Sequence, residues 1–276
     1  MGNKPDYHIL DTLSAPQTGD VLLPFCRDEA YARRLAAEPD MPSLLHLWRH
    51  CYAFVLGSRD AKLPQAADAV RQLKRQGYQT AVRHSGGAAV PLDPGVVNLS
   101  LAMPVSALEL NPEPHFEQMV ALIKRALGAT GEQVVAGEIA GAYCPGSYDL
   151  AIAGHKFCGI AQRRLAKAVV VQAFVIVEGE GRGHGERARG FYEQAASGAD
   201  GSYPHVVPER MKSLTELGWH AGVAAFGEGV KQALASFGTI EEIAMIPEWM
   251  EQDARQALPL LQGEKRASMN ANKRKG

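Results

Sequence analysis

Three strand-like runs follow one another between residues 132 and 179: "EQVVAGEIA", "SYDLAIAGHKFCGIAQRR" and "AVVVQAFVIVEG". This succession limits the fold more than any other feature of the chain. The middle run folds back on itself, because Ala153-Gly154-His155 is placed to turn a hairpin between "YDLAI" and "KFCGIAQ". The last run is rich in β-branched residues and broken by Gln172, which predicts a buried strand. It is also the longest apolar run, and it falls short of the roughly 18 residues a membrane span needs.

Helical patterns surround these strands. "RDEAYARRLAAE" at 27–38 predicts a helix, and the stretch from Ser43 to Gly57 around Trp48 predicts strands. In "LPQAADAVRQLKRQGY", Ala66, Ala69, Val70 and Leu73 form one apolar face, and Gly77 stops the helix. "VVNLSLAMPV" reads as a strand ended by Pro104. "HFEQMVALIKRALGATG" reads as a helix with Phe116, Met119, Val120, Ile123 and Leu127 inward. From residue 187 the chain reads as mostly helical, through "ERARGFYEQA", "FGEGVKQALASFG" and "IEEIAMIPEWMEQDARQAL". This order implies an α+β fold with one principal mixed sheet, followed by helices.

A length of 276 residues allows one large domain, or one domain with an appendage. A formal net charge of −1 gives no basic field that would argue for nucleic acid. No signal-peptide pattern opens the chain, and Cys26, Cys51, Cys144 and Cys158 form no CxxC pair. A reduced cytosolic protein is the expectation, with no membrane partner. His84, His155, His184 and His220 are scattered, with no metal-ligand spacing.

Several stretches carry residues suited to chemistry. In "RHSGGAAVPLDPGVVNLS", residues 83–100, Gly86 and Gly87 permit a turn or a close approach of ligand to backbone. Gly183, Gly185 and Ala188 show the GxGxxA spacing of dinucleotide-binding turns, but no βαβ unit follows, so a mobile loop is expected there. Cys144 lies in "AYCPGSYDL", a loop of small residues, where it is either a nucleophile for acyl transfer or an incidental exposed thiol. Cys158 is its rival. Strand alternation would place Lys156, Cys158 and Ile160 on one face, yet a mid-strand cysteine usually fills the core. Lys156 is either solvated or a pocket lysine whose pKa desolvation lowers.

The two segments together resemble the signatures of the family of biotin and lipoate protein ligases and lipoyl/octanoyl transferases. Arg83, Ser85, Gly86, Gly87, Asp93, Gly95, Asn98 and Ser100 match the first signature. Gly154, Lys156, Gly159 and Gln162 match the second, and the resemblance covers residues 30 to 220. Ala88 stands where the family usually has a third glycine, and Leu92 where ligases often carry a histidine. These departures weaken the case for an ATP-dependent ligase. The "AYCPGSYDL" loop, "RGFYEQA" and "SYPHVVPERMKSL" are similar to the branch that moves octanoyl groups from the glycine cleavage H protein.

The resemblance implies a ligase-like catalytic domain over 1–225 (core 30–220), its mixed sheet flanked by helices. It leaves a helical C-terminal segment at 226–264 and a disordered basic tail at 265–276. It implies a cysteine acyl-enzyme at Cys144, a proton-transferring Lys156, and no cofactor or metal. Arg83, Ser85, Gly86, Gly87, Asp93, Asn98 and Gly159 would bind substrate, with Asp93 and Asn98 bracing the turn. The donor would be the H protein and the acceptors the lipoyl domains of E2 subunits. Arg83, Lys156, Arg163 and Arg164 would form a positive docking rim, and N–H groups near Lys156 and Phe157 an oxyanion site. Octanoyl transfer from acyl carrier protein, an ATP-dependent lipoate ligase and a carrier-domain binding protein remain the alternatives.

Overall fold

Every second residue of the long central strands faces the same way, and both faces of the sheet are buried. The computed structural model describes residues 5–38, 40–106, 108–197 and 203–271. Its strands are β1 (Tyr7–Asp11), β2 (Ser43–Trp48), β3 (Ala53–Leu56), β4 (Gln79–Val82), β5 (Val90–Leu92) and β6 (Val96–Pro104). They continue as β7 (Val135–Ala136), β8 (Leu150–Ile152), β9 (His155–Arg164), β10 (Ala168–Ile176) and β11 (Ile240–Glu242). The helices are α1 (Leu22–Ala37), α2 (Ala66–Arg75), α3 (Glu113–Ala126), α4 (Gly181–Ala195), α5 (Gly222–Ala235) and α6 (Glu248–Ala271).

The main sheet has eight strands in the order β11-β1-β2-β6-β10-β9-β8-β7, and a smaller one runs β4-β3-β5. β1 is parallel to β2 and β11, whereas β2, β6, β10, β9 and β8 pair antiparallel in turn. The sheet is therefore mixed, as the sequence implies. Leu45, Leu47, Val97, Leu99, Leu101, Val169, Val171 and Val175 pack on one face against Met119 and Ile123 of α3 and Phe226 and Val230 of α5. On the other face Leu44, Ala102 and Val170 pack against Tyr31 and Leu35 of α1. Trp48, Phe174 and Ile176 meet the small sheet and α4.

The hairpin forms where it was expected, with Ala153 at φ 50° and Gly154 at φ 75°. The apolar face of α2 is buried through Ala66, Ala69, Val70 and Leu73. In α3, Met119 and Ile123 are buried and Phe116 and Val120 pack partly against the same core.

Other expectations are corrected. α1 begins at Leu22, not Arg27, because Asp20 Oδ1 accepts the Leu22 N–H at 2.9 Å and Pro24 falls within the first turn, where N–H groups need no helical partner. "EQVVAGEIA" shrinks to the two-residue β7. "IEEIAM" does not begin a helix: Ile240–Glu242 adds β11 to the edge of the main sheet, parallel to β1. The boundary at 225 falls inside α5, whose Phe226, Val230 and Leu234 belong to the central core, so the C-terminal segment is no appendage. α6 runs to Ala271, where a disordered tail had been expected from 265; Glu264, Lys265, Arg266, Ala267 and Met269 are good helix formers. Residues 272–276 lie outside the described residues.

The glycine stretch at 183–188 is helix α4, not a loop. Gly185 serves close packing: a Cβ there would stand 2.5 Å from Pro208 Cα. Among the described residues, no helix is long and apolar enough to cross a membrane.

Candidate active site

Cys144 sits in the loop between β7 and β8 with φ 49°, a left-handed conformation that is strained for a residue bearing a side chain. It is 6% exposed, so it is not an incidental surface thiol. Two donors address its sulfur. The Ala88 N–H lies 3.1 Å from Sγ, and Arg83 Nη2 lies 3.5 Å away. Both direct hydrogens at the sulfur.

The glycine pair owes its form to this contact. Arg83 curls into its own loop, donating from Nε to Gly86 O at 3.0 Å and from Nη2 to Ala88 O at 2.7 Å. Gly87, at φ 87°, lies against the sulfur: a Cβ there would be 2.6 Å from Arg83 Nη2 and 2.9 Å from Cys144 Sγ. Gly86 is different. Its added Cβ meets nothing within 4 Å, so that position needs no glycine on steric grounds. Behind the loop, Ala89 N–H donates to Tyr192 Oη at 3.0 Å, and Tyr192 Oη donates to Asp60 Oδ1 at 3.0 Å.

Lys156 is fully buried, with Phe174 and Tyr143 rings about it. Its Nζ donates to Tyr143 O at 2.9 Å, Cys144 O at 2.6 Å and Asp149 Oδ2 at 2.6 Å. Those bonds use all the donor capacity of an ammonium group. Asp149 also accepts the Gly146 N–H at 3.0 Å, which ties the cysteine loop to the start of β8. Burial raises the Asp149 carboxyl to about 6, against the opposing pull of Lys156.

The hairpin carries a bulge that sequence alternation could not anticipate. Leu150 pairs with Cys158 but Ala151 with Lys156, so Phe157 is the extra residue. The bulge takes Lys156 to the side of Gly159, whose added Cβ would be 3.3 Å from Nζ and 2.5 Å from Phe174 Cε1. Cys158 turns instead into the central core and is wholly buried, and desolvation holds its thiol well above the ordinary range. The shared face expected for Lys156 and Cys158 does not exist.

An apolar cleft opens beside the thiol and runs across the sheet, lined near Cys144 by Arg83, Ser85, Asn98, Gly159 and Phe174. Ser85 Oγ and Asn98 Nδ2 are buried and have no hydrogen-bond partner among the described residues. Asn98 thus lines the cleft and does not brace the turn. Asp93 does brace it, accepting the Gly95 N–H at 3.0 Å. Burial pushes the Asp93 carboxyl up, but His184 at 2.9 Å, the Gly95 N–H and Arg187 outweigh it, so its pKa is lowered.

The expected docking rim is not assembled. Arg83 and Lys156 are buried, Arg163 lies 3.6 Å from Glu29, and Arg164 donates to the Glu109 carbonyl. Sequence reasoning also missed Asp149, although an acidic residue five positions after a loop cysteine and directly before an apolar strand is a readable signal. It missed the Ala88 N–H as well, and no residue type could have announced that contact. The main-chain N–H that meets the thiol is that of Ala88. Among the described residues, no group of His, Cys, Asp and Glu could hold a metal ion.

Comparison with known proteins places this site in a family. The description "lipoyl protein ligase A/B catalytic domain" matches residues 20–235. An octanoyl-GcvH:protein N-octanoyltransferase of Geobacillus kaustophilus is 39% identical over 238 residues, 85% of this chain and 84% of that protein. Another, from Exiguobacterium sibiricum, is 40% identical over 213 residues, 76% of this chain and 77% of that protein. A lipoyl-GcvH:protein N-lipoyltransferase of Listeria monocytogenes is 38% identical over 213 residues, 76% of each chain. In fold, the chain superposes on a lipoate-protein ligase A bound with ATP with a TM-score of 0.68 at 18% identity, covering 92% and 94% of the two chains. A bipartite lipoate protein ligase from Thermoplasma acidophilum gives 0.67 at 18% identity, covering 93% of each. With the family description spanning most of its length and relatives near 40% identity, the chain belongs to the lipoyl protein ligase A/B catalytic domain family.

Proposed function

We propose that this protein moves an octanoyl group from the lysine of a glycine cleavage H protein to the lysine of a lipoyl domain, through a thioester on Cys144. One observation carries the reading. A thiol held by the Ala88 N–H at 3.1 Å and by Arg83 at 3.5 Å stands in an apolar cleft that crosses the sheet. The activities named for the relatives, transfer of octanoyl or lipoyl from GcvH, support the donor and the reaction class.

The steps follow from the groups present. The Cys144 thiolate attacks the carbonyl of the octanoyl-lysine amide, and a C–S bond forms. The C–N bond then breaks, and Lys156 gives a proton to the departing nitrogen so that a neutral amine leaves. Because Nζ already serves three acceptors, this step exchanges one of those bonds for the substrate nitrogen. Asp149 beside it holds the lysine in place throughout. The amine of the acceptor lysine next attacks the thioester, sulfur departs as thiolate, and the surplus proton returns to Lys156. One amide replaces another, so no nucleotide is needed to drive the exchange. Ser85 Oγ and Asn98 Nδ2, buried and unpartnered along the cleft, are the donors available to the bound acyl group.

The test is intact mass spectrometry after incubation with octanoylated H protein and no ATP, with Cys144→Ala and Cys158→Ala alongside. An octanoyl adduct on the wild type and on Cys158→Ala, absent from Cys144→Ala, is the expected result. Loss in Cys158→Ala alone would overturn the site. An adduct formed only from octanoyl acyl carrier protein would overturn the donor.

A further inference from the structure

The strand registers stack the cleft in layers. Trp48, Asn98, Phe174 and Gly159 lie across β2, β6, β10 and β9 in one row, and all four line the cleft together with Cys144. Two residues along each strand, roughly 6.8 Å further on, the next row is His46, Ser100, Gln172 and Ala161. The third row is Leu44, Ala102 and Val170, which belong to the core under α1, with Arg163 beside Val170 on β9. Three polar side chains side by side, His46, Ser100 and Gln172, are unexpected in the middle of a sheet buried on both faces.

A carboxylate organises that row. Asp28 of α1, 1% exposed, accepts Ser100 Oγ at 2.5 Å and Gln172 Nε2 at 3.0 Å on one oxygen, and faces His46 Nδ1 at 2.7 Å with the other. Ser100 and Gln172 line the cleft, while Asp28 and His46 stand behind them. None of these residues touches the thiol or serves the transfer steps.

We propose that this Asp28-centred row is the floor of the acyl cleft and sets the upper limit of acyl chain length, an inference that rests on the acyl-transfer reading of the site. Each further methylene buried would gain only about fourfold in binding. To pass the floor it must push Gln172 away from Asp28, and losing a hydrogen bond to a charged group costs about ten- to a hundredfold. The floor therefore rejects longer chains energetically as well as sterically. Gln172 Oε1 and His46 Nε2 already lack partners among the described residues, so the row has no spare bonds to give.

The test uses p-nitrophenyl esters of octanoic, decanoic and dodecanoic acid, which acylate Cys144 by thiolate attack with loss of p-nitrophenolate and need no carrier protein. Labelling rates are read by intact mass, with Cys144→Ala as the blank. The wild type is expected to discriminate against dodecanoyl. Gln172→Ala, which opens the floor, should raise the dodecanoyl-to-octanoyl ratio about tenfold. Asp28→Asn, equal in shape but uncharged, should raise it by less, and Ser100→Ala gives a milder third variant should either of these fail to fold. Unchanged ratios in the folded variants, a wild type that takes dodecanoyl as readily as octanoyl, or no labelling of Cys144 by any ester would each overturn the floor. Normal length selection by esters with no transfer from octanoylated H protein would instead refute the carrier reading and leave the floor standing.

Discussion

Lys156 Nζ lies 2.6 Å from the main-chain carbonyl of Cys144 and 2.6 Å from Asp149 Oδ2, so one buried amine fastens the backbone of the cysteine loop to a carboxylate. The lysine thereby holds the backbone of the left-handed Cys144. Removing the carboxylate from such a pair leaves a buried charge without compensation. Asp149→Ala is expected to lower stability by about 3–5 kcal/mol, measured by denaturant unfolding. A loss below about 1 kcal/mol would show that the pair does not hold the loop.

Asp149 also gives the fold a pH signature. Its carboxyl titrates at 3.8 in its ordinary state and at about 6 in the fold, raised by burial. Between those values the folded state holds a proton that the unfolded chain has lost. This group's contribution to stability is therefore fullest below about pH 4 and is lost as the pH rises through about 6. Relative to Asp149→Asn, the wild type should lose stability across that window when melting is followed from pH 4 to 7. A difference that stays flat with pH contradicts the assignment.

The adjacent glycines should respond very differently to one added methyl. Gly87→Ala places a Cβ 2.6 Å from Arg83 Nη2 at a φ of 87°, and a cost of about 1–2 kcal/mol or more is expected, with sharply reduced acylation of Cys144. Gly86→Ala enters open space, so its stability should stay within about 0.5 kcal/mol of the wild type. Equal melting temperatures for the two variants would disprove the close approach at Gly87.

Thiol reactivity should sort the cysteines without any knowledge of the substrate. Desolvation raises Cys26 to about 12 and carries Cys158 well above its ordinary range, so neither is a nucleophile in the folded protein. Iodoacetamide on the native protein, followed by peptide mapping, should modify Cys144 and leave Cys26 and Cys158 intact. Rapid labelling of Cys158 would reverse the assignment.

Arg83 holds Gly86 O, Ala88 O and the sulfur with one planar group, and a lysine cannot reproduce that fork. Arg83→Lys should slow Cys144 alkylation by about tenfold, the equivalent of one lost charged hydrogen bond. An unchanged rate would show that the loop, not the guanidinium, governs the thiol.

Much of this architecture could be read from local pattern. The apolar face of α2, the Ala153-Gly154 hairpin and the β-branched β6 and β10 were legible because strand and helix periodicities repeat along the chain. The segments bearing Gly87, Cys144 and Lys156 were legible too, as motifs at a characteristic separation. Where local pattern failed, a distant segment had intervened. β11 is a strand because β1 offers it an open edge, and α4 carries Gly185 where Pro208 lies against it.

The residue types alone determined that the chain builds a mixed sheet with buried central strands and carries a loop cysteine ahead of a lysine hairpin. Only the tertiary structure decided what those residues touch. The bulge at Phe157 moves Lys156 from the face of Cys158 to that of Gly159, since one extra residue inverts the alternation beyond it. The fold then brings Arg83 and the Ala88 N–H onto Cys144, and Asp28 onto Ser100 and Gln172. Such contacts join positions 56 to 144 residues apart, a distance at which no periodicity or motif carries information.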